Sequence, residues 1–192
     1  MTKKTSAKTM VLAGILTALV IVLQFMGAFI KFGPFSVSLV LVPIVIGAAT
    51  CGVGIGAWLG LVFGIVVLIS GDAAAFLSIN ALGTVATVLL KGLACGFFAG
   101  LTYKCLAKYN RYLAVMLAAI VCPIANTGVF LLGCLAFFME AVAGWAQAAG
   151  LGGGVGHYMI FGLVGANFIF ELVFNLILSP IIVRLMNIKE KI

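Results

Sequence analysis

Apolar residues run in long blocks along the chain, and short stretches that hold Gly, Pro or charge separate the blocks. A helix needs roughly 20 mostly apolar residues to cross a bilayer, and six blocks approach that length. The pattern therefore predicts an all-α integral membrane protein with six membrane-spanning helices in a single domain, residues 1–192. The predicted spans lie near residues 9–29, 37–51, 53–70, 80–103, 112–138 and 160–186.

Pro43 interrupts the second block, which is also the shortest of the six. A proline inside a membrane helix removes a backbone hydrogen bond and commonly kinks the helix at that point. We therefore expect the second span to be bent or tilted.

The composition also places the chain in a membrane rather than in water. It is 65% hydrophobic and 8% charged, whereas soluble domains hold roughly 45–50% apolar and about 25% charged residues. The sequence contains no P-loop motif and no recognisable catalytic set. We therefore expect no enzymatic activity, no cofactor and no metal, and any ATP hydrolysis would take place on partner subunits.

Basic residues outnumber acidic ones by 11 to 4, which gives a net charge of +7. In a soluble protein this excess would suggest nucleic acid as a partner, but most of these charges form clusters between apolar blocks. Such clusters retain a loop in the cytoplasm, so both termini and the loop near 104–111 are predicted to lie there, and nucleic acid is not expected as a partner. The clusters are Lys3, Lys4 and Lys8; Lys104, Lys108 and Arg111; and Arg184, Lys189 and Lys191.

The segments near residues 30–36, 71–79 and 139–159 are then predicted to face outward. They contain Lys31 and Trp145, which are candidate contacts for a ligand that arrives from outside. The last segment is rich in glycine, which frees the backbone. It is either a mobile cover over a site or a connector without a role.

Two ionisable residues are predicted to lie near the middle of the bilayer, where a charged group normally has a partner, a cavity or a function. They are Lys91 in the fourth span and Glu171 in the sixth. Each is about eleven residues from the outer end of its span, so at a rise of about 1.5 Å per residue the two lie at nearly the same depth. The two side chains are therefore expected to lie close together.

Further polar residues are expected at the same depth. Asn167 and Asn175 flank Glu171 at steps of four and so share one helical face with it. Asn126 in the fifth span and Asn80 in the fourth add amide groups. Three helices are thus predicted to place polar side chains at the same depth in the membrane.

Two interpretations of this cluster stay open. In the first, Lys91 and Glu171 form an ion pair and the asparagines join helices by hydrogen bonds, as polar side chains do in lipid. In the second, the cluster is a small-molecule site that opens outward. Lys91 would then receive a carboxylate or another acceptor, while Asn80, Asn126 and Asn167 would contact polar edges of the ligand.

Small residues at steps of four indicate close helix packing. Gly14 and Ala18 form such a pair in the first span and are candidate contacts for a partner helix. Small positions extend through the second and third spans at Gly47, Gly52, Gly56, Gly60 and Gly64. The step of four from Gly52 onward gives the third helix one smooth face, which is expected to pack inside the protein.

These features together resemble the substrate-binding S components of the energy-coupling-factor (ECF) vitamin transporters of bacteria, over nearly the whole chain. The resemblance implies an S-component-like bundle in the bacterial cytoplasmic membrane. Within the family the chain looks most like the pantothenate branch. The stretches that carry this likeness are Gly33-Pro34-Phe35-Ser36, Val42-Pro43-Ile44, Gly56-Ala57-Trp58-Leu59-Gly60, Leu89-Leu90-Lys91-Gly92 and Asn126-Thr127-Gly128.

The resemblance implies a mechanism and partners. An S component captures a vitamin outside and docks through a small-residue pair of its first helix, here Gly14 and Ala18, on a module of one transmembrane coupling subunit and two ATPases. It then topples in the membrane so that the site opens inward. By the same resemblance Lys91, which stands where some relatives carry arginine, would contact an anionic vitamin such as pantothenate.

Two other functional classes fit the sequence. A stand-alone secondary carrier would couple substrate to protons or sodium through Glu171 and would need no ATPase. A membrane scaffold protein without transport activity would use the polar cluster only to join its helices.

Overall fold

Helices make up nearly all of the described chain. The computed structural model describes residues 7–27, 31–32, 35–36, 38–150 and 154–191, and for 31–32, 35–36 and 185–191 it describes the backbone alone. Apart from the two-residue strands β1 (Lys31–Phe32) and β2 (Phe35–Ser36), which pair antiparallel, the regular elements are helical, and the predicted all-α class is confirmed. The helices are α1 (Ala7–Gly27), α2 (Leu41–Cys51), α3 (Val53–Ile69), α4 (Ala74–Leu77), α5 (Ala81–Leu106), α6 (Arg111–Phe137), α7 (Met139–Ala148), α8 (Gly154–His157), a π-helical segment (Tyr158–Gly165) and α9 (Ala166–Lys191).

Within the described ranges, four helical stretches are long and apolar enough to cross a membrane. The helices α2 and α3 are apolar but have only 11 and 17 residues. They reach about 17 and 26 Å, against roughly 30 Å for the hydrocarbon core. The count of six spans stays a prediction, as does the cytoplasmic placement of both termini. The four long stretches are Ala7–Gly27, Ala81–Leu106, Arg111–Phe137 and Gly154–Arg184.

Short connections make successive helices antiparallel, so the helix ends gather at two ends of the bundle. The end of α1 lies near the end of α3, since Gln24 of α1 hydrogen-bonds to Asp72 just after α3, and the β1–β2 pair follows α1 along the chain, so we call this the hairpin end. The α2–α3 and α5–α6 turns lie at the opposite end. The pairs α3–α5 and α5–α6 pack most extensively, so α5 is the central helix of the bundle.

Pro43 begins a helix rather than bending one, which corrects the predicted kink. α2 starts at Leu41, so Pro43 lies in its first turn. The backbone N–H groups of a first turn have no acceptor within the helix, so proline costs no hydrogen bond there. The second apolar block therefore yields a short helix that starts a few residues later than predicted.

Short helices cover the hairpin end, where connecting loops were predicted. The 71–79 segment contains α4, and the 139–159 segment contains the ten-residue helix α7. Val142 of α7 packs into a second apolar cluster, separate from the main core. That cluster consists of Phe76, Phe130, Cys134, Phe138, Val142, Met159 and Leu163. The described part of the 139–159 segment is thus mainly helical.

Gly56 and Gly60 of α3 face Gly96 and Gly92 of α5, so this part of the predicted smooth face packs inside the protein, whereas Gly52 precedes α3 and a Cβ added there would meet no atom within 4 Å. A Cβ added at Gly60 would meet the carbonyl oxygen of Gly92, and one added at Gly56 would meet that of Gly96. Only hydrogen side chains allow two helix backbones to approach so closely. This contact fixes the position of Lys91, the neighbour of Gly92, relative to α3.

Candidate functional site

A cavity with several polar side chains in its lining lies inside the bundle toward the hairpin end. Its volume is about 70 Å³, and residues of α1, α3, α5, α6, the π-helical segment and α9 line it. The polar side chains in the lining are Gln24, Ser38, Asp72, Thr84, Thr87, Lys91, Asn126, Thr127, Asn167 and Glu171. The structure therefore brings together four of the predicted ligand contacts, namely Lys91, Asn126, Asn167 and Glu171.

Lys91 lies between two aromatic rings. Its Nζ atom is 5.4 Å from the ring centroid of Phe63 and 5.5 Å from that of Phe130, distances typical of cation–π contacts. The described residues place no carboxylate at ion-pairing distance from this ammonium group. Lys91 and Glu171 thus share a cavity without forming the direct ion pair of the first interpretation.

Glu171 is held by neighbouring polar groups. The Nδ2 atom of Asn126 donates a hydrogen bond to Glu171 Oε2 at 3.5 Å, and Ser38 also hydrogen-bonds to this carboxyl group. Asn175 donates to the main-chain oxygen of Glu171 at 3.0 Å. Asn167, Glu171 and Asn175 are all buried, so the predicted polar face of α9 does face the protein, although Asn175 is not part of the lining.

Three predicted ligand contacts lie elsewhere. The Oδ1 atom of Asn80 accepts a hydrogen bond from the Gly83 N–H at 2.9 Å, which caps the start of α5, and Asn80 is not among the lining residues of the cavity. Trp145 packs edge-on against Phe76 with 5.3 Å between ring centroids and lines a different cavity. The side chain of Lys31 falls outside the described part of the structure.

The capping role of Asn80 gives a testable expectation. Replacing Asn80 with alanine should lower the free energy of unfolding by about 1 kcal/mol, the usual loss at a helix N-cap, and should leave ligand affinity unchanged. Asn110→Ala is the matched control, because Asn110 caps α6 in the same way at the other end of the bundle. A loss of ligand affinity in the Asn80 variant alone would indicate that Asn80 contacts the ligand.

Gln24 and Asp72 are cavity residues that sequence reasoning did not select. Gln24 is buried near the end of α1, and its Nε2 atom donates to Asp72 Oδ2 at 2.6 Å. Gln24 could have been selected from the sequence, because it is a single polar residue between Leu23 and Phe25 in an apolar block. Asp72 carried a weaker signal, because an acidic residue in a connecting segment is usually solvated.

A second cavity of about 480 Å³ adjoins the first. Asp72 and Phe76 line both cavities, so Phe76 stands at the wall between them. The Phe76 ring contacts Phe130 and Phe138 edge-on, with centroid distances of 5.5 and 4.9 Å. Trp145 and Tyr158 supply the aromatic lining on the other side. We call the two the inner cavity and the outer cavity.

Gly14 and Ala18 lie on the exposed face of α1. A Cβ added at Gly14 would meet no atom within 4 Å, so this face does not pack against the described bundle. The opposite face of α1 is buried and carries Leu16, Val20 and Gln24. One helix therefore carries the pair Gly14 and Ala18 on its exposed side and a cavity residue on the other.

Comparison with known proteins gives one assignment. A family model described as "ECF transporter, substrate-specific component" matches residues 8–183, which is nearly the whole chain. A search among curated proteins gives no match.

Proposed function

The chain belongs to the family of substrate-specific components of ECF transporters and is the multi-pass, substrate-binding membrane subunit of such a transporter, and we propose that it captures a small water-soluble vitamin from outside the cell. Members of this family bind substrate and are not catalysts, so ATP is hydrolysed by partner subunits. The proposal rests on the inner cavity, whose lining includes Lys91, Asn126 and Glu171 and, toward the outer cavity, the ring of Phe76.

We propose pantothenate as the first ligand to test. Its single carboxylate suits Lys91, whose ammonium group has aromatic neighbours but no carboxylate at pairing distance among the described residues. Its hydroxyl and amide groups suit Asn126 and Asn167. An ion pair formed in a site of low dielectric constant is much stronger than one in water, which favours Lys91 as the anchor.

The ligand is proposed to extend into the outer cavity. Typical ligand pockets measure roughly 300–1,000 Å³, whereas the inner cavity holds about 70 Å³. Because Phe76 stands between the two cavities, a vitamin whose acid group reaches Lys91 would turn this ring aside. The remainder of the ligand would then lie near Trp145, which lines the outer cavity. Trp145 would thus contact the ligand, as the sequence predicts.

The hairpin end is proposed to face outward in the bacterial plasma membrane. The basic clusters near 104–111 and at both chain ends would then lie in the cytoplasm, as the positive-inside rule requires. The exposed face of α1 with Gly14 and Ala18 would dock on the transmembrane coupling subunit. Toppling of the docked subunit would open the site to the cytoplasm.

Uptake in cells with and without the coupling module tests this proposal. We expect accumulation of labelled pantothenate only when this chain, the coupling subunit and both ATPases are present, and loss of accumulation when the ATPases are inactivated. Uptake that persists without the module and collapses with the ion gradient would instead support a secondary carrier that uses Glu171. Unchanged function with Lys91 and Glu171 both replaced by apolar residues would support a scaffold role.

Crowding the exposed face of α1 should separate docking from binding. Gly14→Leu is expected to reduce uptake through the module at least tenfold, because the larger side chain prevents close approach of a partner helix. Ligand affinity of the isolated subunit should stay unchanged. Gly54→Leu is the matched control, since Gly54 lies on α3 and also has no neighbour within 4 Å of an added Cβ. Equal uptake by both variants would argue against docking at Gly14.

A further inference from the structure

Four polar side chains of the inner cavity keep an oxygen atom without a hydrogen-bond partner among the described residues. These atoms are Gln24 Oε1, Thr87 Oγ1, Asn126 Oδ1 and Asn167 Oδ1, and each side chain is at most 8% exposed. Buried polar atoms without a partner are costly and rare in folded proteins. Four of them around one cavity indicate groups that a ligand engages.

Two carboxylates fix which amide atoms remain for the ligand. Gln24 donates through Nε2 to Asp72 at 2.6 Å, and Asn126 donates through Nδ2 to Glu171 at 3.5 Å. In both hydrogen bonds the amide nitrogen donates and the carboxyl oxygen accepts, so the amino side of each amide faces a carboxyl group. The carbonyl oxygens of Gln24 and Asn126 are therefore the atoms left over, and a carbonyl oxygen accepts but cannot donate.

Lys91, in contrast to these oxygens, needs a ligand group that accepts hydrogen bonds. It is the one basic side chain among the described lining residues, which also include the acidic Asp72 and Glu171, and its ammonium group donates but cannot accept. The cavity therefore offers one cationic donor and several acceptor oxygens. A complementary ligand presents one anionic group and several hydrogen-bond donors.

We infer, on the basis of the proposed function, that the ligand is a donor-rich acid, a small molecule with one anionic group for Lys91 and at least two hydroxyl or N–H groups for the oxygens of Gln24, Thr87, Asn126 and Asn167. Pantothenate belongs to this class, because it carries a carboxylate, two hydroxyls and one amide N–H. Nicotinate and lipoate do not belong to it, since each has a carboxylate and no further donor. The inference therefore distinguishes acids with further donors from acids without them, whereas an ion pair with Lys91 alone would bind both kinds equally.

A binding series on the purified full chain in detergent tests the inference. The donor-bearing acids are pantothenate and biotin, and the donor-free acids are nicotinate and lipoate. We expect one donor-bearing acid to bind with a Kd at least tenfold below that of either donor-free acid, and methylation of its donor groups to remove that advantage. Tighter binding of nicotinate or lipoate, or of a vitamin without an acid group, would overturn the inference and leave vitamin capture intact. Binding by no vitamin at all would overturn both.

A matched pair of threonine variants tests the same inference from the protein side. Thr87→Val removes a cavity hydroxyl that has no partner in the described protein, so the fold loses no hydrogen bond. It should raise the Kd of the donor-bearing acid about tenfold. Thr102→Val on the same helix lies outside the lining and should leave the Kd unchanged. An unchanged Kd for Thr87→Val would contradict a ligand contact at this oxygen.

Discussion

Replacing Lys91 with methionine is expected to weaken ligand binding about 100-fold while the fold is kept. Methionine has a similar length and packs well against aromatic rings, so the contacts with Phe63 and Phe130 survive the change. The ligand, however, loses its cationic partner in a desolvated site. Truncating one member of such a pair typically costs about 2–5 kcal/mol. Titration of pantothenate into both purified proteins, with melting curves of the ligand-free forms, measures the two effects separately.

Lys104→Met is the control for this experiment. Lys104 lies in the last turn of the same helix, α5, and does not line either cavity. We expect this variant to bind the ligand as the wild type does. If the Lys91 and Lys104 variants both keep wild-type affinity, the ligand does not pair with Lys91 and the anion argument fails.

Replacing Gly60 with alanine is expected to destabilise the bundle by about 3 kcal/mol, near the upper end of the usual cost of overpacking. The added Cβ would meet the main-chain oxygen of Gly92, and a backbone atom cannot rotate away as a side chain does. The helices α3 and α5 would have to separate along their most extensive contact. Because Lys91 adjoins Gly92, ligand affinity should fall together with the melting temperature.

Gly54→Ala is the control on the same helix. A Cβ at Gly54 has no neighbour within 4 Å, and alanine is a better helix former than glycine, so the melting temperature should stay equal or rise slightly. Equal melting temperatures for the Gly54 and Gly60 variants would show that the glycine contact between α3 and α5 is not a close one.

Much of the cavity could be predicted because a charged residue inside a membrane is energetically unfavourable. Lys91 and Glu171 stood out in apolar blocks, and the step of four from Glu171 to Asn167 placed both on one helical face. Asn80 was grouped with them as well, although the structure places it at the N-cap of α5, because a polar residue at a predicted span boundary serves equally well as a helix cap. Sequence spacing alone does not separate these two roles.

Phe76 and Asp72 could not be selected from the pattern. Their importance comes from tertiary packing, since α4 and the turn before it fold back over the hairpin end and bring both residues to the cavity wall. Apolar periodicity gives helices and their buried faces, but it does not give the position of a short covering helix. The same limit explains why the α7 segment was predicted as a loop.

The most direct test of vitamin capture is a thermal-shift screen of the purified chain against water-soluble vitamins, with mass spectrometry of any small molecule that co-purifies. A ligand that binds only the folded state raises its apparent stability by mass action. We predict that one vitamin raises the melting temperature of the wild type and leaves that of Lys91→Met unchanged. If no vitamin shifts the wild type and nothing co-purifies, or if both proteins shift equally, the assignment of the inner cavity as an anion-dependent vitamin site is wrong.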